Sequence, residues 1–161
     1  MRRYLLLFPL LVAAGAAGAE SIEGKVVTVS DGDTLTIVDK DAKRRRVRLA
    51  EIDAPERKQP FGNESRTSLA AICLQKAAAV EVVEIDTHGR AVGKVKCAEI
   101  DAKAEQVRRG MAWVNARNTL PNSPLPEMET NARLRGLGLW AGDKPEPPWE
   151  WRKRQAEAAK K

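Results

Sequence analysis

Two short runs rich in Val, Ile, Thr and Leu, residues 22–29 and 34–38, flank Ser30-Asp31-Gly32-Asp33, whose residue types favour a turn. The pattern predicts a β-hairpin. A third strand is expected over about residues 45–52, with Val47, Leu49 and Ile52 as its apolar positions, and it stops at Asp53-Ala54-Pro55 because proline cannot donate to a ladder. Phe61, Ser65, Leu69, Ile72 and Cys73 recur at helical spacing and predict a helix over about 63–76. Residues 80–85 and 91–97 are again β-prone, and Asp86 to Arg90 between them includes Gly89, suited to positive φ. Asp101 can cap a short helix bearing Ala104, Val107 and Met111 and ending at Gly110. Pro124 and Pro126 introduce a last helix over about 126–136, which Gly136 and Gly138 close before Leu139-Trp140.

Three strands, a helix, two strands and further helices do not alternate as a βαβ sheet does. They predict a mainly β, α+β fold: a five-stranded Greek-key barrel of the OB type with about three helices. The tail from Gly142 mixes prolines, Trp149, Trp151, Arg152-Lys153-Arg154 and Lys160-Lys161, and is expected to be extended or frayed. Its tryptophans could stack nucleic-acid bases or pin the tail to the barrel, and pinning is the expectation. The resulting division is a leader over 1–19, a barrel domain over 20–141 and a basic tail over 142–161.

The leader is an export signal by pattern: Arg2-Arg3, an apolar run from Leu5 to Val12, and Ala17-Gly18-Ala19 before Glu20. That run is shorter than the ~20 residues of a membrane span, so the mature protein is expected to be free of the membrane and periplasmic or secreted. Losing Arg2 and Arg3 lowers the formal charge from +6 to +4. The chain stays basic, which favours an anionic partner such as nucleic acid. Cys73 and Cys97 are the only cysteines. In an exported chain the pair suggests a disulfide, with two buried thiols as the alternative, and the absence of a CxxC pair or a His cluster argues against zinc.

Asp31 and Asp33 lie in the first hairpin turn, and Asp53 and Glu56 follow the third strand. In a meander the start of strand two and the end of strand three share one end of the sheet, so both clusters can face one cleft. Carboxylates gathered there would repel without a hard cation between them, and calcium takes such oxygen ligands more readily than magnesium does. Turn formation alone would explain aspartates in these sequences, but Arg48 and Arg90 change that reading. A guanidinium is permanently charged and matches phosphate geometry, so two of them beside a cation form a phosphodiester clamp.

Val29-Ser30-Asp31-Gly32-Asp33-Thr34, Arg48 to Glu56 and His88-Gly89-Arg90 together resemble the staphylococcal nuclease family in order and spacing, and the likeness runs from about residue 22 to residue 140. The resemblance implies an OB-fold barrel that hydrolyses DNA and RNA with little base specificity, leaving 3′-phosphates as the 5′ oxygen departs. It implies calcium held by Asp33, Asp53 and the backbone carbonyl of Ala54, with Asp31 acting through water. Glu56 would orient or deprotonate the attacking water, and Arg48 and Arg90 would bind the phosphate. His88 stands where the family often has a tyrosine that contacts the nucleotide, and another such tyrosine is missing near Trp113-Val114-Asn115. Imidazole can still stack or donate. Arg44-Arg45-Arg46 is read as a solvated strand end.

Two other functions fit parts of the pattern. A non-catalytic OB-fold module that binds nucleic acid would need the barrel but not the acids. A structural calcium protein would need the acids but leave Arg48 and Arg90 idle. The protein is expected to work as a monomer on DNA and RNA.

Overall fold

The structure is a computed structural model describing residues 20–160; the leader expected over 1–19 lies outside the described residues. Strands β1 (Ser21–Val29), β2 (Thr34–Asp39) and β3 (Arg44–Leu49) form an antiparallel meander. A second hairpin, β5 (Ala77–Ile85) and β6 (Ala91–Cys97), pairs back onto β1 through β5. The barrel closes where β3 meets β6 in parallel, with Val47 opposite Ala91 and Leu49 opposite Gly93. That seam makes the sheet a closed five-stranded barrel and bears out the OB-fold expectation.

Alternation fills the barrel. Val26, Leu35, Ile37 and Val47 are completely buried, and Leu49, Val80 and Val95 almost so, while the residues between them on each strand face outward. Helix α1 (Gly62–Cys73) adds Leu69 and Ile72 to the same core. It starts and ends slightly earlier than its apolar spacing predicts, because Phe61 takes a left-handed conformation at its head and Leu74 turns extended at its foot. The Cys73–Cys97 disulfide is formed, joining the end of α1 to the end of β6.

The expected third strand does not run unbroken to Ile52. It breaks at Glu51, whose φ is +66°, and resumes as β4 (Ile52–Asp53), paired with β8 (Trp113–Val114). Glu51 is held there from several sides: Lys103 pairs with its buried carboxylate, the Leu120 N–H donates to Oε1 at 3.1 Å, and the Asn115 N–H donates to its carbonyl at 2.8 Å. A left-handed glutamate costs on the order of 1 kcal/mol, and these partners offset it. Between the barrel and that segment, β7 (Ile100–Asp101) leads into α2 (Ala102–Arg108), where Asp101 accepts from the Lys103 and Ala104 N–H groups as the sequence predicts. Then come α3 (Leu125–Leu134) and a single 3-10 turn at Gly138–Ala141.

The tail departs from expectation. Instead of fraying, residues 148–158 form α4 (Pro148–Ala158), with Pro148 buried at the first helical position, where its missing N–H costs nothing. Gln59 moors the segment leading into it: Nε2 donates to the Glu146 carbonyl at 2.6 Å, while Oε1 accepts from the Glu56 N–H at 3.1 Å. Trp151 is covered by Arg154 at 4.5 Å, and Trp149 stays 41% exposed. No helix among the described residues is long and apolar enough to cross a membrane.

Candidate functional site

Asp33 closes the first turn, and the register of β2 against β3 sets Thr34 opposite Arg48. The Asp33 carbonyl accepts from the Leu49 N–H at 2.8 Å, so the turn is tied to the end of β3. The β4–β8 pairing then fixes Asp53 beside it. Both carboxylates are 3% exposed and converge on one atom: Arg48 Nη2 lies 3.2 Å from Asp33 Oδ2 and 3.0 Å from Asp53 Oδ1. The Ala54 N–H donates to Asp33 Oδ2 at 3.0 Å. Asp33, Arg48, Asp53 and Ala54, picked from the sequence, thus meet in one place.

Asp31 is spent on the turn itself, its Oδ1 accepting from the Asp33 N–H at 3.1 Å. Beneath it, Gln106 Nε2 donates to the Gly32 carbonyl at 2.7 Å and Ser65 Oγ donates to the Met111 carbonyl at 2.6 Å, so α1 and α2 buttress the loop. Gly32 has no room for a side chain: a Cβ there would come within 1.8 Å of Ser65 Oγ and 2.8 Å of the Ala54 Cβ. Gly32→Ala is therefore expected to cost about 1–3 kcal/mol of stability and to weaken cation binding by displacing Asp31 and Asp33. Chemical denaturation with and without calcium checks this, and an unchanged calcium-induced stabilisation would refute it.

Burial pushes the Asp33 carboxyl up, to about 7, with the charges of Asp31 and Asp53 adding to the effect; Arg48 and the Ala54 N–H pull the other way. The folded state then holds a proton that the unfolded chain releases near its ordinary 3.8. By linkage, this contribution to stability is full below about pH 4 and is lost as pH rises through about 7. In chelator, the unfolding temperature is expected to fall between roughly pH 4 and pH 7, and Asp33→Asn should flatten the decline. Equal slopes in the two proteins would refute the assignment.

A divalent cation fits this donor set. Every donor is oxygen, and the two buried carboxylates turn toward a common point, where a guanidinium nitrogen provides positive charge in this structure. Among the described residues no three His, Cys, Asp or Glu side chains form a ready cage, so a cation held here would need water and backbone carbonyl oxygen to complete its coordination, as hard cations commonly allow.

Arg90 is not drawn into the carboxylate group. Asp86 holds it, accepting from Nε at 2.7 Å and from the Arg90 N–H at 3.0 Å. Burial alone would raise the Asp86 carboxyl, but these bonds and the His88 N–H hold it down at about 2. Held by Nε, Arg90 keeps its two terminal amino groups without a protein partner among the described residues. It immediately precedes β6, next to Ala91, which pairs with Val47 on the strand bearing Arg48. His88 sits at the exposed tip of the same turn, with Thr87 Oγ1 3.4 Å from its Nδ1.

Arg152 is the member that sequence reading misses. From α4, its Nη2 reaches Asp53 Oδ2 at 2.6 Å and its Nη1 reaches Glu56 Oε1 at 2.8 Å. Those bonds, the one to Asp53 foremost, raise its already high pKa further, so it is always a cation. The signal was available as prolines at 147 and 148 followed by a polar, proline-free stretch, a helix start rather than a frayed end.

The family model for staphylococcal nuclease homologues matches residues 46–142. An uncharacterized endonuclease of Escherichia coli is 37% identical over 157 residues, covering 96% of this chain and 100% of the relative. An uncharacterized endonuclease of Haemophilus influenzae is 37% identical over 152 residues, covering 94% of this chain and 83% of the relative. Micrococcal nuclease of Shigella flexneri is 34% identical over 154 residues, covering 89% and 87% respectively. Since the match takes in Arg48, the segment from Asp53 to Glu56, Arg90 and the helices behind them, the chain belongs to the staphylococcal nuclease family.

Proposed function

We propose that the protein is an exported, calcium-dependent phosphodiesterase that hydrolyses DNA and RNA with little base specificity. The observation that carries this reading is the convergence of Asp33 and Asp53 on the Arg48 guanidinium, with Glu56 beside the same group through Arg152. Names of relatives as endonuclease and micrococcal nuclease support the same class. Asp33, Asp53 and the Ala54 carbonyl would hold calcium, Asp31 helping through water. Calcium, when bound, supplies Lewis-acid charge and a template for the phosphoryl oxygens.

Arg48 binds a phosphoryl oxygen and stabilises the charge that builds there as the bond to the 5′ oxygen weakens. Arg90, oriented by Asp86 through Nε, offers its terminal amino groups to the same phosphate. Glu56 orients the attacking water or takes its proton. The new P–O bond forms as the bond to the 5′ oxygen breaks. That oxygen leaves as a 5′-hydroxyl once protonated, and the 3′ side keeps the phosphate. Contacts of this kind inspect neither base nor sugar, which supports action on both DNA and RNA.

Digestion of plasmid DNA and of RNA by the protein beginning at Glu20, with calcium, magnesium or chelator, tests the reading. Cleavage in calcium that stops in chelator is expected; intact substrate in all three would defeat it. Arg90→Ala is expected to lower turnover about a hundredfold with an unchanged unfolding temperature, and a loss of only a few-fold would remove Arg90 from the site. Export predicts an N-terminus at Glu20 in periplasmic or culture-fluid protein, which intact-mass measurement reads directly.

A further inference from the structure

Beside Asp53 lies a cavity of about 350 Å³. Asn115, Ala116 and Arg117, in the loop after β8, form one side; Trp149 and Arg152, from α4, form the other, and Asp53 adjoins both. Its walls are well anchored. Glu51 fixes the loop through the Asn115 and Leu120 N–H groups, and Gln59 fixes the lead-in to α4 through the Glu146 carbonyl. Trp149 lines this cavity with Val114 and keeps 41% of its surface exposed, so part of its indole remains open to a ligand.

We propose that α4 forms one wall of a nucleotide subsite, in which Trp149 stacks on an unpaired base next to the scissile bond and Arg152 bonds that nucleotide's phosphate. This rests on the nuclease reading and names the substrate form the site takes: single-stranded nucleic acid. The volume suits one base with its sugar and lies at the lower end of ~300–1,000 Å³ for small-molecule sites. An indole face stacks any base, and only an unpaired or splayed base can reach it. Two arginines, Arg117 and Arg152, and one acid, Asp53, line the cavity, and with Arg152 paired to Asp53 and Glu56 it is Arg117 that, among the described residues, brings an uncommitted positive charge toward a nucleotide phosphate. Arg152 already spans Asp53 and Glu56, so a phosphate brought against those residues meets its guanidinium. The subsite thus compensates for the missing tyrosines: the aromatic surface comes from the tail instead of the barrel loops.

The test compares full-length wild type, Trp149→Ala, Trp149→Phe, Arg152→Ala and Arg152→Lys. Cleavage kinetics are measured on a single-stranded oligonucleotide and on its duplex in calcium, and binding of the single strand is read by fluorescence anisotropy in chelator. Trp149→Ala should raise KM on the single strand about tenfold, leave kcat within about twofold, weaken binding to a similar degree and lower the ratio of single-strand to duplex cleavage. Trp149→Phe should restore most of each, which a structural lesion would not explain. Arg152→Ala should raise KM by a similar factor, and Arg152→Lys should recover part of it. Unchanged KM and binding in Trp149→Ala would overturn the subsite. So would faster cleavage by Arg152→Ala at unchanged KM, because α4 would then be a plug over the carboxylates. If wild type cleaves nothing while Trp149→Ala still weakens binding, the nuclease reading falls and the subsite stands; if wild type cleaves and Trp149→Ala binds as wild type does, the reverse holds.

Discussion

Arg48→Ala is expected to slow phosphodiester cleavage about a thousandfold, the scale at which transition-state charge loses a preorganised donor. Two effects combine. The scissile phosphate loses a permanently charged group, and Asp33 and Asp53, both buried and both within 3.2 Å of Arg48 Nη2, lose the cation between them. Removing one partner from a buried ionic group destabilises by roughly 3–5 kcal/mol, because the charges left behind are uncompensated. In chelator the variant should therefore unfold at a markedly lower temperature than wild type. Calcium should restore much of the stability and little of the rate, because it neutralises the carboxylates without replacing the phosphate contact. Arg48→Lys should recover some stability and less activity, since an ammonium can sit between the two carboxylates as Nη2 does but lacks the planar fork that matches phosphate oxygens. A loss of activity under tenfold in the alanine variant would remove Arg48 from the chemistry.

The second large effect concerns stability alone. Cys73 and Cys97 are completely buried and bridge a sequence separation of 24 residues. Restricting the unfolded chain over such a loop contributes about 3 kcal/mol. The paired Cys73→Ala, Cys97→Ala variant also loses some sulfur packing in the core, so its unfolding temperature is expected to drop by roughly 10 °C. Calorimetry of the variant, and of wild type under reductant and mild denaturant, measures this. A drop under about 3 °C would mean that the helix and strand are held together without the bond.

Much of the site was legible in the chain because the acids and Arg48 sit in segments with strong local signals. The DGD turn must close a hairpin, and Pro55 must end the strand that precedes it, so their relative placement followed from antiparallel pairing alone. What escaped depended on distant partners. Glu51 takes a left-handed conformation that nothing local favours, and it does so because Lys103, Asn115 and Leu120 bind it. By sequence Asp86 is only part of a turn, yet it determines how Arg90 is held. Strands as short as Ile100–Asp101 and Trp113–Val114 have no periodicity to detect. In the tail, prolines and charges mask a helix start, and they hide with it Arg152, which meets Asp53 across a separation of 99 residues. The expected leader falls on residues outside those the structure describes.

The parallel seam between β3 and β6 governs timing as well as shape. Val47 cannot find Ala91 until the second hairpin exists, so the strand carrying Arg48 stays an open edge while the chain is being made. Closures of such long range are the slow steps in folding a β-rich domain. Arg152 arrives later still. A chain still being synthesised thus keeps its barrel open until β6 has emerged, and Arg152 can reach Asp53 and Glu56 only after α4 has been made.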